Sequence, residues 1–138
     1  MLKGCVIALV VLLAGCGRGL TTRTVSLSGL SAEEEAIVHE ALQLMAGVQL
    51  PSRIVVVGGG EHAGQACVDC DPCLITLGEY DDGIFPIRER LIPIVWHEVG
   101  HCLGQEHIID AGDVMHPQAP VLRAVTPAKQ SAFFARLR

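Results

Sequence analysis

The eleven-residue run HEVGHCLGQEH, residues 97 to 107, constrains this chain more than any other feature. It spaces three histidines by four and then by six, with Glu98 directly after the first and Gly104 between the second and third. At about 100° per residue, His97 and His101 lie roughly 40° apart on one helical face, so both imidazoles can reach a single ion. Glu98 lies about 100° round from His97. That keeps it out of a first coordination shell but near a water held there, where a general base belongs.

A straight helix supplies only two such ligands. Gly104 can take the left-handed conformation that turns a chain sharply, and such a turn would bring His107 back to the other two. Neutral imidazole nitrogens suit zinc at neutral pH. Three protein ligands leave a fourth position for water, the arrangement of a catalytic rather than a structural zinc.

The rest of the chain must hold that helix still. Its 138 residues suit one domain. Aromatics make up only 4 % of the chain, so a core has to come from Val, Ile, Leu and Ala. The net charge of −5, without a basic stripe, argues against nucleic acid and against an anionic membrane surface as main partner.

The N-terminus reads as a targeting segment. Lys3 precedes an apolar run, Val6 to Ala14, that is too short to span a bilayer. Leu13 to Cys16, LAGC, resembles a bacterial lipoprotein box. That resemblance implies cleavage before Cys16 and lipid on it, with residues 1–15 as signal peptide, 16–22 as tether and 23–138 as the catalytic domain. Gly17 stands where an Asp would favour retention at the inner membrane. The expected location is therefore the cell envelope, anchored in the outer membrane and facing the periplasm.

Along residues 23–138, RTVSLS (Arg23 to Ser28) can be a strand. A helix follows, with Ser31 as N-cap and Glu34 completing a capping box. Ile37, Ala41, Leu44 and Met45 form its apolar stripe, and Gly47 is its stop. RIVVV (Arg53 to Val57) and LITL (Leu74 to Leu77) are strand runs. The histidine helix is expected from Leu91 to Leu103, with Pro93 in its first turn. A last helix has Thr126 as N-cap and Pro127 at its first position. VVVGGGEHAG (Val55 to Gly64) mimics a dinucleotide fingerprint, but the interval to the next strand is too short for a βαβ unit, so a flexible loop is expected. His39 and His62 read as surface residues rather than ligands, and Trp96 as core.

Four cysteines follow the signal: Cys67, Cys70, Cys73 and Cys102. An even number in an exported chain favours disulfides. Cys102 lies on the core side of the histidine helix, beside Val95 and Val99. It is expected to pair with one of the clustered three, leaving the other two to pair together.

The run at 97–107 matches HExxHxxGxxH, the metzincin signature. Eight residues past His107, Met115 stands in DVMHP (Asp113 to Pro117), which resembles the Met-turn. The spacing and the trailing Pro look most like the matrixin branch. The close likeness covers Trp96 to Pro117. A lone HExxH would be weak evidence; five fixed positions followed by a Met-turn are specific.

The resemblance implies an α+β, minimal zincin-like domain. It would have a small mixed twisted sheet with an N-terminal helix, an active-site helix and a C-terminal helix. It further implies one catalytic zinc ion on His97, His101 and His107, with Met115 as the floor beneath them. The implied activity is endopeptidase, with a peptide or protein substrate and a monomeric enzyme. Zinc lowers the pKa of its water to about 7, Glu98 takes the proton, and the water attacks the peptide carbonyl. Metzincin substrates pair with an edge strand beside the cleft, for which LITL is the candidate.

The chain also departs from the matrixin pattern. His116 replaces the usual Tyr near the specificity pocket, which makes His116 and Pro117 substrate-pocket candidates without a stated preference. Lys129 and Gln130 stand where matrixins often carry an Asp pair. There is no latency cysteine, and Asp81 to Gly83 reads as a turn rather than a calcium loop.

Two rival functions stay open. One is a catalytically inactive, zinc-containing peptide-binding domain; Glu98 argues against it, because zinc retention does not need that carboxylate. The other is a metal or redox module built on Cys67-x-x-Cys70-x-x-Cys73, with the helix as scaffold.

Overall fold

The β-branched runs form strands and the amphipathic runs form helices that cover them, in a computed structural model that describes residues 23–68, 70–78, 83–118 and 120–138. The signal peptide, the tether, the lipid site Cys16 and the acidic pair Asp81 and Asp82 lie outside these residues. The class is α+β, with strands β1 (Thr24–Ser28), β2 (Arg53–Gly58), β3 (Gly64–Ala66) and β4 (Cys73–Leu77) and helices α1 (Ala32–Leu44), α2 (Ile87–Cys102) and α3 (Pro127–Arg136). Among the described residues no helix is long and apolar enough to cross a membrane.

The strands form one sheet in the order β1-β2-β4-β3. β1, β2 and β4 run parallel, and β3 pairs antiparallel with β4. Alternation in β2 sends Ile54 and Val56 fully inward, and in β4 it buries Cys73, Ile75 and Leu77 while Leu74 faces out. Val38 and Ala41 of α1 and Leu91, Val95 and Val99 of α2 close the core from the helical side. Burying each Val, Ile or Leu contributes about 1.5–3 kcal/mol relative to exposure. Trp96 is sealed in this layer: its indole N–H donates to Ala41 O at 2.9 Å, and its ring meets Phe134 of α3 edge-on at 5.2 Å.

The helix signals act as expected at both ends of the chain. Ser31 accepts from the Glu34 N–H while the Glu34 carboxylate accepts from the Ser31 N–H, a complete capping box. Thr126 caps α3, with Pro127 first in the helix. Gly104 has φ +79°, the left-handed turn that ends the histidine helix.

Four expectations need correction. α2 begins at Ile87, a turn earlier than Leu91, so Pro93 is interior to it and buried rather than in its first turn. The added turn is tied by ion pairs from Arg88 to Glu40 of α1 and from Glu89 to Arg123. Pro93 leaves the Glu89 carbonyl without its helical donor, a defect the packed core tolerates. Leu44 is 41 % exposed; Val38 and Leu42 take its place in the stripe of α1. The segment expected to be a loop, Val55 to Gly64, runs at its last residue into β3, which is too short to show an alternating pattern. β3, not the LITL strand, is therefore the edge: β4 lies between β2 and β3.

Cys73, at the start of β4, is bonded to Cys102, the last residue of α2, and Cys67 to Cys70. Cys102 thus pairs with one of the clustered three and the remaining two pair together, as expected from their number. The first bridge spans 29 residues and the second only three. Loop-closure entropy makes the long bridge the stabilising one: Cys73→Ala/Cys102→Ala should lower unfolding free energy by about 2–4 kcal/mol. Cys67→Ala/Cys70→Ala should cost less, and urea unfolding of both variants checks the order.

Candidate metal centre and cleft

Two turns of α2 and one glycine bring three imidazoles together. His97 and His101 sit one above the other on the helix, and the chain reverses at Gly104 to return His107. The Nε2 atoms of the three lie 3.0 Å (His97–His101), 3.2 Å (His101–His107) and 3.3 Å (His97–His107) apart. The opposite ring nitrogens fix the tautomers. His97 Nδ1 faces Val114 O at 2.8 Å, and His101 Nδ1 faces Gln105 O at 2.8 Å. A carbonyl only accepts, so both Nδ1 atoms carry the proton, and in the neutral rings it is the Nε2 atoms that present the lone pairs. Two lone pairs 3.0 Å apart repel unless positive charge lies between them. The three histidines can hold a metal ion. Burial also keeps His97 neutral, lowering its pKa to about 4.

The turn at 113–116 adjoins the cluster through the Val114 carbonyl that holds His97. Asp113, Val114 and Met115 are buried, with Met115 at zero exposure. Gly100 is what lets Met115 approach: a Cβ there would sit 2.5 Å from Met115 Sδ. The Met115 carbonyl also accepts from the Ile108 N–H at 2.9 Å, which pins the residue after His107.

Glu98 is 5 % exposed and points at the edge strand rather than into the histidine cluster. Burial pushes its carboxyl up to about 7, partly opposed by a hydrogen bond from the Ala66 N–H of β3. Gly64 of the same strand makes room for it, since a Cβ at Gly64 would lie 2.5 Å from Glu98 Oε1 and 2.8 Å from Ile94 Cγ2. Neither Gly64 nor Ala66 stands out in the sequence; only the antiparallel edge shows their role.

His97, Glu98, His101 and His107 share one open cleft of about 940 Å³. β3, Val68, Pro117, Pro120, Val121 and Ala124 also line it. Phe85 and Ile94 add apolar surface. Of the two pocket candidates, Pro117 lines the cleft. His116 is not among its lining residues; its Nδ1 accepts from the Gln118 N–H at 3.2 Å. His62 lines the cleft but is not part of the histidine cluster, and His39 lies on α1. All four cysteines downstream of residue 66 are in disulfides, so the cluster presents no thiolate in this structure.

No protein-family model matches the chain, and a search of curated proteins gives no match. The close fit of Gly100 against Met115 makes Gly100→Ala a direct test of that packing. The forced shift of Met115 should cost about 1–3 kcal/mol, as overpacking of a filled core does, and should appear as a lowered melting temperature.

Proposed function

We propose that the chain is a zinc-dependent endopeptidase of metzincin type, with a zincin-like fold, in which His97, His101 and His107 hold one zinc ion and Glu98 is the general base. The observation that carries this reading is the convergence of the three Nε2 atoms. Zinc–imidazole bonds of about 2.0–2.1 Å in a tetrahedron place ligand nitrogens about 3.3 Å apart, and the separations here are 3.0, 3.2 and 3.3 Å. The donor set fits as well: three imidazole nitrogens, two of them on rings whose Nδ1 is held by a backbone carbonyl.

When bound, zinc would supply Lewis acidity to a water and to the scissile carbonyl. The protein's own groups do the rest. Glu98 sits buried beside the cluster, where it can take a proton from an attacking water and deliver it to the leaving amine. The Ala66 N–H and the space at Gly64 hold its carboxylate against β3. β3 is the edge strand that lines the cleft and that an extended peptide would join. The proposal includes export and a lipid anchor at Cys16, carried by the LAGC motif alone.

Glu98→Gln should bind zinc as the wild type does and lose hydrolysis of a mixed peptide library by a factor of about 100 or more. Zinc-loaded wild type that cleaves nothing would leave a peptide-binding domain instead. Gly64→Ala should lower kcat, by displacing the base, while zinc content measured by metal analysis stays at one ion per chain.

A further inference from the structure

The turn at 113–115 touches the surroundings of two ligands without supplying one. Val114 O accepts from His97 Nδ1 at 2.8 Å, and Met115 O accepts from the N–H of Ile108, next to His107, at 2.9 Å. What fixes the turn is Asp113. Its Oδ1 accepts from the Met115 N–H at 2.9 Å, folding the side chain back over its own turn. The same oxygen accepts from Arg136 Nη2 of α3 at 2.8 Å. The Asp113 side chain is 6 % exposed, so it needs a counter-charge, and Arg136 supplies it. Arg136 is itself braced over the Phe133 ring, 5.7 Å from its centroid.

We propose that Arg136 and Asp113 are positioning residues for the metal centre: the pair locks the 113–115 turn, and the turn sets the His97 ring and the return of His107. The proposal rests on the reading that the three histidines bind zinc. Neither residue touches the ion. Their effect is on affinity, through the outer-shell route that ordinarily changes it by about 10–100-fold.

A neighbouring pair provides a matched control. Lys129 of α3 is paired with Asp110, three residues before Asp113, so it too ties α3 to this loop. The Asp110 side chain is 56 % exposed, and its hydrogen bond among the described residues is to Lys129 rather than to the backbone around a ligand.

Zinc affinity of the full chain, measured by competition with a chromophoric chelator, tests the proposal, with circular dichroism confirming that each variant is folded at the same temperature. Arg136→Gln should weaken zinc binding about tenfold or more. It should also change the visible spectrum of the cobalt-substituted protein. Arg136→Lys, which can donate the single bond, should restore most of the affinity. Lys129→Met should bind zinc as the wild type does. The double variant Arg136→Gln/Asp113→Asn should lose little beyond Asp113→Asn, because both act through one link.

Wild-type affinity in Arg136→Gln overturns the proposal. So does an equal loss in Lys129→Met, which would make general anchoring of the loop the explanation. Should Arg136→Gln not fold, Asp113→Asn decides alone, since it keeps an acceptor for Met115: a comparable loss supports the pair, and unchanged affinity overturns it. A wild type that binds no zinc removes the metal reading as well, whereas zinc-binding wild type with an indifferent Arg136→Gln removes only this role.

Discussion

The molecule is organised around an electrostatic conflict. Two imidazoles whose Nδ1 atoms are held by carbonyls bring their Nε2 atoms 3.0 Å apart, where neutral rings would set lone pair against lone pair, and a third closes on both. Nothing in the rings themselves favours that approach. It is imposed from behind, by carbonyls of residues 105 and 114 that hold the Nδ1 atoms of His101 and His97, while Met115 packs against Gly100 of the same helix. A preformed cluster of this kind lets a cation bind without reordering its ligands, so more of the binding energy is retained.

A small core has to support that imposition. Aromatic residues are scarce, and the layer between sheet and helices is mostly aliphatic. Directional links supplement it where α2 meets its neighbours. Trp96 bonds to the backbone of α1 and meets Phe134 of α3 edge-on, Cys102 is bonded to the interior strand β4, and Arg136 reaches back to the turn whose Val114 carbonyl holds His97. The first two act on α2 directly and the third through that turn.

Much of this was legible in the sequence because it is encoded locally. The histidine spacing, the Gly104 turn and the capping residues Ser31 and Thr126 act within a few residues of where they stand, and their structural outcomes agree. Cysteine parity was enough to anticipate the pairing pattern. The misses have the opposite character. β3 is three residues long and exists only because β4 offers a partner, so no periodicity announces it. The start of α2 was misplaced because Pro93 looks like a first-turn residue when the upstream ion pairs cannot be seen. The roles of Gly64, Ala66 and Arg136 depend on segments 20 to 40 residues away along the chain, roughly, and composition carries no trace of such meetings.

The Cys73–Cys102 bridge ends one residue past His101. Reductants are routinely added to zinc-protein buffers to protect thiolate ligands. Here the group that could hold a metal consists of imidazoles, which need no such protection, and a strong thiol would instead cut the covalent tie between the sheet and the histidine-bearing helix. Handling conditions that protect thiolate metal sites would therefore loosen this fold.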